Sequence, residues 1–251
     1  MVAPPDNAPP ADDVLWARSL HYSHSGSPGL IGVSVGVRQG EILAVTGPRG
    51  SGKTTLLHCL ASRLVPEQGE VWFDGLPLHT LRATARERLR RDRFAWIGPD
   101  PLLVPELKVW ENVSLPLLLA GASHRAARHV AGEWLDRLDL GAFARKRPGA
   151  LTRSEAQRIA LARALVAEPA VLFADEPTAP LYRAERALLL RTLTTAARSH
   201  GITVVLATHD EETAREADRR LDLLDGRPAS TATAPDSPRT TEDQAACSLS
   251  A

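Results

Sequence analysis

Residues 47–54, GPRGSGKT, constrain this chain more than any other stretch. They match G-x-x-x-x-G-K-[ST]. A short apolar run, residues 41–46 (EILAVT), leads into them and reads as a buried strand. Residues 54–64 follow as a helical pattern carrying Leu56, Leu57, Leu60 and Leu64. Glycines let the backbone curl so that successive N–H groups point inward, and the helix start adds the positive end of its dipole. Such a cradle suits phosphate. Lys53 is placed to reach the β- and γ-phosphates of a nucleotide, and the Thr54 hydroxyl is a ligand for Mg²⁺. Lysine occurs only at Lys53, Lys108 and Lys146, so general abundance did not put one in this loop.

The rest of the chain supplies the fold that such a loop needs. Residues 94–97, 170–175 (AVLFAD) and 201–208 (GITVVLAT) are further apolar runs of strand length, and residues 154–167 and 184–199 read as helices. Continuously apolar strands separated by helices imply an α/β fold with a mostly parallel sheet covered on both faces. Asp74-Gly75 within residues 70–78 signals a hairpin. Residues 106–147 alternate helical periods with loops, and Trp134, Leu135 and Leu138 share a face. Residues 82–93 (RATARERLRRDR) are basic and helical, but Glu87 and Asp92 make them a solvated face. Residues 1–13 and 227–251 are rich in Pro, Ala, Ser and Thr without an apolar period, so disorder is expected there and a folded domain over residues 14–226. At 251 residues the chain is long enough for one large domain, with room for a small subdomain.

Composition narrows the partners. The formal net charge of +0 gives no global basic bias, and no nucleic-acid partner is expected. No stretch approaches eighteen apolar residues, and residues 1–13 do not read as a signal peptide, so any membrane role must come through a partner. Cys59 and Cys247 alone do not suggest a disulfide framework, which favours a reducing compartment.

Asp175-Glu176 close the apolar run 170–175. An acid at a strand end can hold Mg²⁺, and an acid directly after it can polarise an attacking water. Behind a phosphate loop this pair reads as a Walker B site. Together with Pro177-Thr178, the triplet Thr208-His209-Asp210 and the run Gln157–Leu165 (QRIALARAL), these residues resemble the ATP-binding subunits of ABC transporters. The likeness spans roughly residues 14–226. The stretch Glu111-Asn112-Val113-Ser114-Leu115-Pro116-Leu117 is similar to the lipoprotein-release and macrolide-export branch.

The resemblance implies a RecA-like P-loop NTPase core, a small antiparallel β-subdomain and an α-helical subdomain at about 100–165. It implies ATP and Mg²⁺ held by Gly47, Pro48, Arg49, Gly50, Ser51, Gly52, Lys53, Thr54 and Thr55, with Thr54 and Asp175 at the metal. Glu176 would be the general base and His209 a sensor of the γ-phosphate. Tyr22 stands where the family has an aromatic stacked on adenine, or it is a surface aromatic at a turn. The implied assembly pairs two such subunits head to tail, as a homodimer or heterodimer. Each ATP would lie between one chain's phosphate loop and the other's signature motif. The pair would drive a membrane permease from the cytoplasmic face of the membrane.

Three departures from the family pattern stand out. The signature Leu-Ser-Gly-Gly-Gln is replaced by Leu151-Thr152-Arg153-Ser154-Glu155. Both glycines are gone, which hinders close backbone approach to a partner's phosphate, and Glu155 brings a negative charge. Arg153 offers partial compensation, while Thr152-x-x-Glu155 also fits a capping box, the preferred reading. The glutamine of the Q-loop is replaced by Pro99; neighbouring Asp100 is a substitute metal ligand or, as preferred, a turn residue. The aspartate of the D-loop is replaced by Tyr182. Loss of one preorganised catalytic donor costs roughly 10²–10³ in rate, whereas phosphate binding rests on the loop itself. The expected function is therefore an ATPase subunit coupled to a permease, acting as the degenerate half of a heterodimer; the alternative is an ATP-binding regulatory subunit with little hydrolysis.

Overall fold

The computed structural model describes residues 10, 12–24 and 27–229. In chain order the strands and α-helices are β1 (Asp13–His24), β2 (Ser27–Arg38), β3 (Ile42–Thr46), α1 (Lys53–Leu60), β4 (Gln68–Phe73), β5 (Leu76–Pro77), α2 (Ala83–Arg93), β6 (Phe94–Ile97), α3 (Val109–Leu119), α4 (His124–Arg137), α5 (Arg153–Leu165), β7 (Val171–Asp175), α6 (Arg183–His200), β8 (Thr203–Thr208), α7 (Glu211–Ala214), β9 (Arg219–Leu224) and β10 (Arg227–Pro228).

The expected apolar runs build one sheet of order β10-β9-β3-β8-β7-β6, parallel throughout except for the β9–β10 pair. Every residue of β3, β7 and β8 is buried. Their side chains alternate between two cores, as the period of two requires. Ile42, Leu172, Ala174, Val204 and Leu206 face the core made with α3, α4, α5 and α6. Leu43, Val45, Val171, Phe173, Val205 and Ala207 face the core made with α1 and the second sheet. The sheet is thus buried on both sides, and its strand ends are the natural place for a site.

The second sheet is antiparallel, of order β2-β1-β4-β5. The Asp74-Gly75 turn joins β4 to β5, with both residues at positive φ. The twelve-residue strand β1 is not evident in the sequence pattern, and a bulge explains why. Leu15 and Ala17 point into the core, but the next buried residue is Leu20, three positions on. Ser19 lies between them with φ 48, its N–H donating to Ser34 Oγ at 2.8 Å, and the register shifts there. One extra residue breaks the alternation that would mark a strand.

Some edges differ from expectation. α1 stops at Leu60 rather than at residue 64, because Ser62 takes φ 56 and turns the chain. Gly201, expected in a strand, is the left-handed C-cap of α6 at φ 64. Asp13 pairs with Arg38, and Arg227-Pro228 pair with Leu224 and Leu223, so ordered structure runs past both expected limits of the domain. The remainder of the segments expected to be disordered, with Cys247, lies outside the described residues. Helices α3, α4 and α5 fill the stretch expected to be helical. Among the described residues no helix is long and apolar enough to cross a membrane.

Candidate functional site

The phosphate loop runs from the end of β3 into α1, and its glycines are required by contact as well as by conformation. Gly47, Gly50 and Gly52 all have positive φ, at 142, 82 and 99. A Cβ on Gly47 would strike the Leu223 carbonyl, and one on Gly52 would strike the Gly29 carbonyl. The loop is therefore wedged between β9 and β2. The turn after β9 completes the wedge: Gly226 N–H donates to Ser51 O at 3.1 Å and its own carbonyl accepts from Ile31 N at 2.7 Å. Pro48 and Arg49 stay exposed at the mouth.

Lys53 is only 6% exposed. Its ammonium donates to the carbonyls of Gly47 and Pro48, both at 2.9 Å, which curls it over the loop. Burial lowers its pKa, while the carboxylates of Glu176 and Asp175 hold it up. The next hydroxyl, Thr54 Oγ1, donates to Asp175 Oδ1 at 3.0 Å. Burial pushes the Asp175 carboxyl above its usual 3.8, against the lowering effect of the Thr54 bond. A desolvated carboxylate beside a hydroxyl and a lysine is an electrostatic arrangement that a bound cation relieves.

Beyond the strand end, Glu176 adopts φ 48, fixed by its N–H bonding Ala207 O at 2.9 Å. Its Oε1 lies 3.9 Å from Lys53 Nζ and accepts a 2.7 Å bond from His209 Nδ1, which is then the protonated ring nitrogen. So three residues from three separate parts of the sequence meet at one carboxylate. A cavity of about 540 Å³ opens next to them, between Gly47, Pro48 and Arg49 on one side and His209 and Arg220 on the other. The remaining orphan at the loop is Ser51 Oγ, buried and without a partner.

Tyr22 and Thr55 are placed close to this centre through a histidine that the sequence reading passed over. Tyr22 on β1 packs partly into the core and meets His24 edge-on at 4.8 Å. His24 Nε2 lies 3.3 Å from Thr55 Oγ1. Tyr22 is half-buried near the hairpin end of β1, paired with Leu30 of β2 two pairs before His24 meets Ser27.

The altered positions are satisfied within the chain. Thr152 Oγ1 accepts from Glu155 N at 3.2 Å while Glu155 Oε2 accepts from Thr152 N at 2.7 Å, the reciprocal capping box at the start of α5. Arg153 folds back to Asp100, 3.1 Å away. Asp100 is therefore an ion-pair partner on an exposed turn. Pro99 is exposed in the same segment. Tyr182 caps α6 from outside and is 84% exposed, its N–H donating to Glu185 Oε2 at 3.1 Å.

What fixes the loop around Pro99 is a set of residues that lie within the quoted runs 157–165 and 111–117 but whose contacts no motif announced. Gln157, fully buried, donates its amide to Gly98 O at 2.6 Å and Pro177 O at 2.9 Å, tying the ends of β6 and β7 together. Arg163 donates to the carbonyls of Pro101 and Leu102, both at 2.8 Å. Asn112, also fully buried, accepts from Val104 N at 2.7 Å and donates to Val104 O at 3.1 Å. Besides opening the run 157–165, Gln157 is a polar residue where the helical period of α5 calls for an apolar one. On the far side, Arg186 of α6 holds Asp210 at 3.1 Å, and Arg220 of β9 grips Glu211 with two bonds at 2.7 and 2.9 Å. Both brace the segment that carries His209.

A loop of this form at the C-terminal end of a parallel strand, facing an Asp-Glu pair and a histidine, defines a P-loop nucleotide triphosphatase. The family model described as "ABC transporter" matches residues 30–179. The chain is 41% identical over 198 residues to the uncharacterised ABC transporter ATP-binding protein YbbA of Escherichia coli K12, covering 79% of this chain and 87% of that one. It is 40% identical over 197 residues to the lipoprotein-releasing system ATP-binding protein LolD of Myxococcus xanthus, covering 78% and 88%. The dimeric post-hydrolysis structure of the ATP-binding cassette MJ0796 with ADP and Pi superimposes with a TM-score of 0.78 at 30% identity, covering 86% of this chain and 97% of that one. The chain belongs to the ABC transporter family, and it is an ATP-binding ATPase cassette of that family.

Proposed function

We propose that this chain is the motor subunit of a membrane transport complex, binding Mg-ATP on residues 47–55 and hydrolysing it with Glu176 as general base. The observation that carries this reading is the Glu176 carboxylate, 3.9 Å from the Lys53 ammonium and 2.7 Å from His209 Nδ1. An acid held beside the phosphate-binding lysine is positioned to take a proton from an attacking water, and His209 orients it while standing ready to meet the γ-phosphate. Backbone N–H groups at Gly50, Ser51 and Gly52 bind the β- and γ-phosphates, with Lys53 neutralising charge between them. Pro48 and Arg49 border the entrance, and Tyr22 lies on the adenine side. Thr54 and Asp175 are the residues that would hold Mg²⁺. When bound, the ion neutralises charge on the phosphate oxygens.

The relatives are named as ATP-binding proteins of an ABC transporter and of a lipoprotein-releasing system, which supports a membrane permease as partner with this chain at the cytoplasmic face, and the MJ0796 cassette is a dimer. Within such an assembly the chain acts as the degenerate half of a heterodimer. The groups that work in cis are in place, whereas Arg153 and Glu155 of the signature segment are committed to Asp100 and to the α5 cap. The site built on this chain's phosphate loop would face an intact signature from the other subunit. Titration calorimetry against Lys53→Ala tests the binding step. The wild-type chain should take up Mg-ATP and the variant should not; no uptake by either at millimolar nucleotide overturns the assignment. The isolated chain should hydrolyse ATP slowly. Fast turnover by the chain alone, abolished in Glu176→Gln, would exclude the need for a second kind of ATPase subunit.

A further inference from the structure

Away from the phosphate loop, a cleft of about 390 Å³ lies between the helical layer and α6. Three helices each send one arginine to it: Arg137 from α4, Arg158 from α5 and Arg191 from α6. Among the described residues none of the three forms an ion pair with a carboxylate. Eight other arginines among the described residues do. The sole carboxylate lining the cleft is Asp139. Three guanidinium groups against one carboxylate leave the cleft with a surplus of about two positive charges.

Arg158 is the sharpest sign that the surplus has a use. Its Nη2 donates to the Leu138 carbonyl at 2.6 Å, which anchors the side chain between helices. Its Nε is buried and has no hydrogen-bond partner. A buried guanidinium donor left unmade costs free energy, so Arg158 is held beside the cleft with its hydrogen-bonding capacity only partly used. Arg137 lies over the Trp134 ring at 5.5 Å from its centre, so it is packed rather than free to swing away. Leu188 and Ala196 add an apolar wall, and the hydroxyls of Thr195 and Ser199 add neutral donors. A volume near 390 Å³ falls in the range of small-molecule sites.

We infer that this cleft is a second anion site, distinct from the phosphate loop, for a small phosphate monoester whose apolar body rests on Leu188 and Ala196. The guanidinium fork matches a phosphate dianion in charge and geometry. A free phosphorylated metabolite and the phosphomonoester headgroup of a lipid present the same chemistry, and a test can separate them.

Binding is measured in the Lys53→Ala chain, so that the phosphate loop does not compete. Phenyl phosphate, followed by calorimetry, probes the soluble source; cosedimentation with vesicles containing phosphatidic acid, beside vesicles of phosphatidylcholine alone, probes the lipid source. Uptake of either probe should weaken about tenfold or more in Arg191→Glu and in Arg158→Gln. Arg191 is exposed, so its variant tests the site even if Arg158→Gln fails to fold. Saturable phenyl phosphate binding lost in Arg191→Glu assigns a soluble ligand. Vesicle binding that needs phosphatidic acid and is lost in the same variant assigns a headgroup. Absence of binding to both probes, or binding that Arg191→Glu leaves unchanged, overturns the inference.

Discussion

At the scale of single residues, Glu176 and Asp175 do different work although they are neighbours in sequence. Asp175 ends a buried strand, and its carboxylate is desolvated; Glu176 turns out of the sheet at φ 48 and meets His209. Replacing Glu176 with Gln keeps the shape but removes the carboxylate proposed as the base. Steady-state phosphate release in the assembled complex should fall by roughly 10²-fold or more, with ATP affinity retained by calorimetry; unchanged turnover would remove Glu176 from the mechanism. The raised pKa of Asp175 gives a second expectation. Its carboxyl keeps its proton to higher pH than the usual 3.8, so the folded chain is favoured while it is protonated and that advantage fades as pH climbs through the raised value. If Asp175 holds Mg²⁺ as proposed, the cation needs the ionised form, and Mg²⁺-dependent ATP affinity should weaken on acidification before any ordinary aspartate titrates. Asp175→Asn should flatten that profile, and calorimetry across a pH series reads both.

At the scale of elements, α5 is the bar against which the site is registered. It starts in the altered signature segment and, through Gln157 and Arg163, clamps the loop that follows β6. The two kinds of contact it makes are of unequal worth. Gln157→Leu leaves a buried carbonyl at Pro177 and a half-buried one at Gly98 without their donor and should lower unfolding stability by about 1–3 kcal/mol in urea titration. Arg153→Ala breaks an exposed ion pair with Asp100 and should change it by less than about 1 kcal/mol. Equal effects would mean that the loop after β6 is not held through Gln157. Motif reading marks the run that holds Gln157 and Arg163 but not what they clamp. The buried glutamine bonds only backbone carbonyls, which look alike in any sequence, and its partners lie 59 and 20 positions away. The helix itself was legible, because Thr152-x-x-Glu155 names its cap and the structure keeps both reciprocal bonds.

At the scale of the whole molecule, the proposal of a heterodimer rests on an asymmetry. The phosphate-binding side retains its loop, acids and histidine, while the surface offered to a partner has lost two glycines and gained an arginine and a glutamate that bond within the chain. The Glu176→Gln chain with saturating ATP should therefore remain monomeric in sedimentation. Adding Arg153→Gly, Ser154→Gly and Glu155→Gln should restore close backbone approach and shift it to a dimer. Dimerisation without those three changes would instead favour self-pairing.

The sequence by itself determined the nucleotide loop, the buried strands that carry it and the acid pair behind it. Each is a local pattern: glycine spacing, an apolar run, a strand end. Tertiary structure alone decided what encloses them. The bulge at Ser19 hid β1 by breaking its alternation, and the Gly226 turn, placed by sequence at the edge of order, became a wall of the loop through its bond to Ser51. The convergence of Lys53, Glu176 and His209 likewise depends on which strand ends lie side by side. Sheet order is set by burial of both faces at once, a property of the packed chain that no stretch of it carries alone.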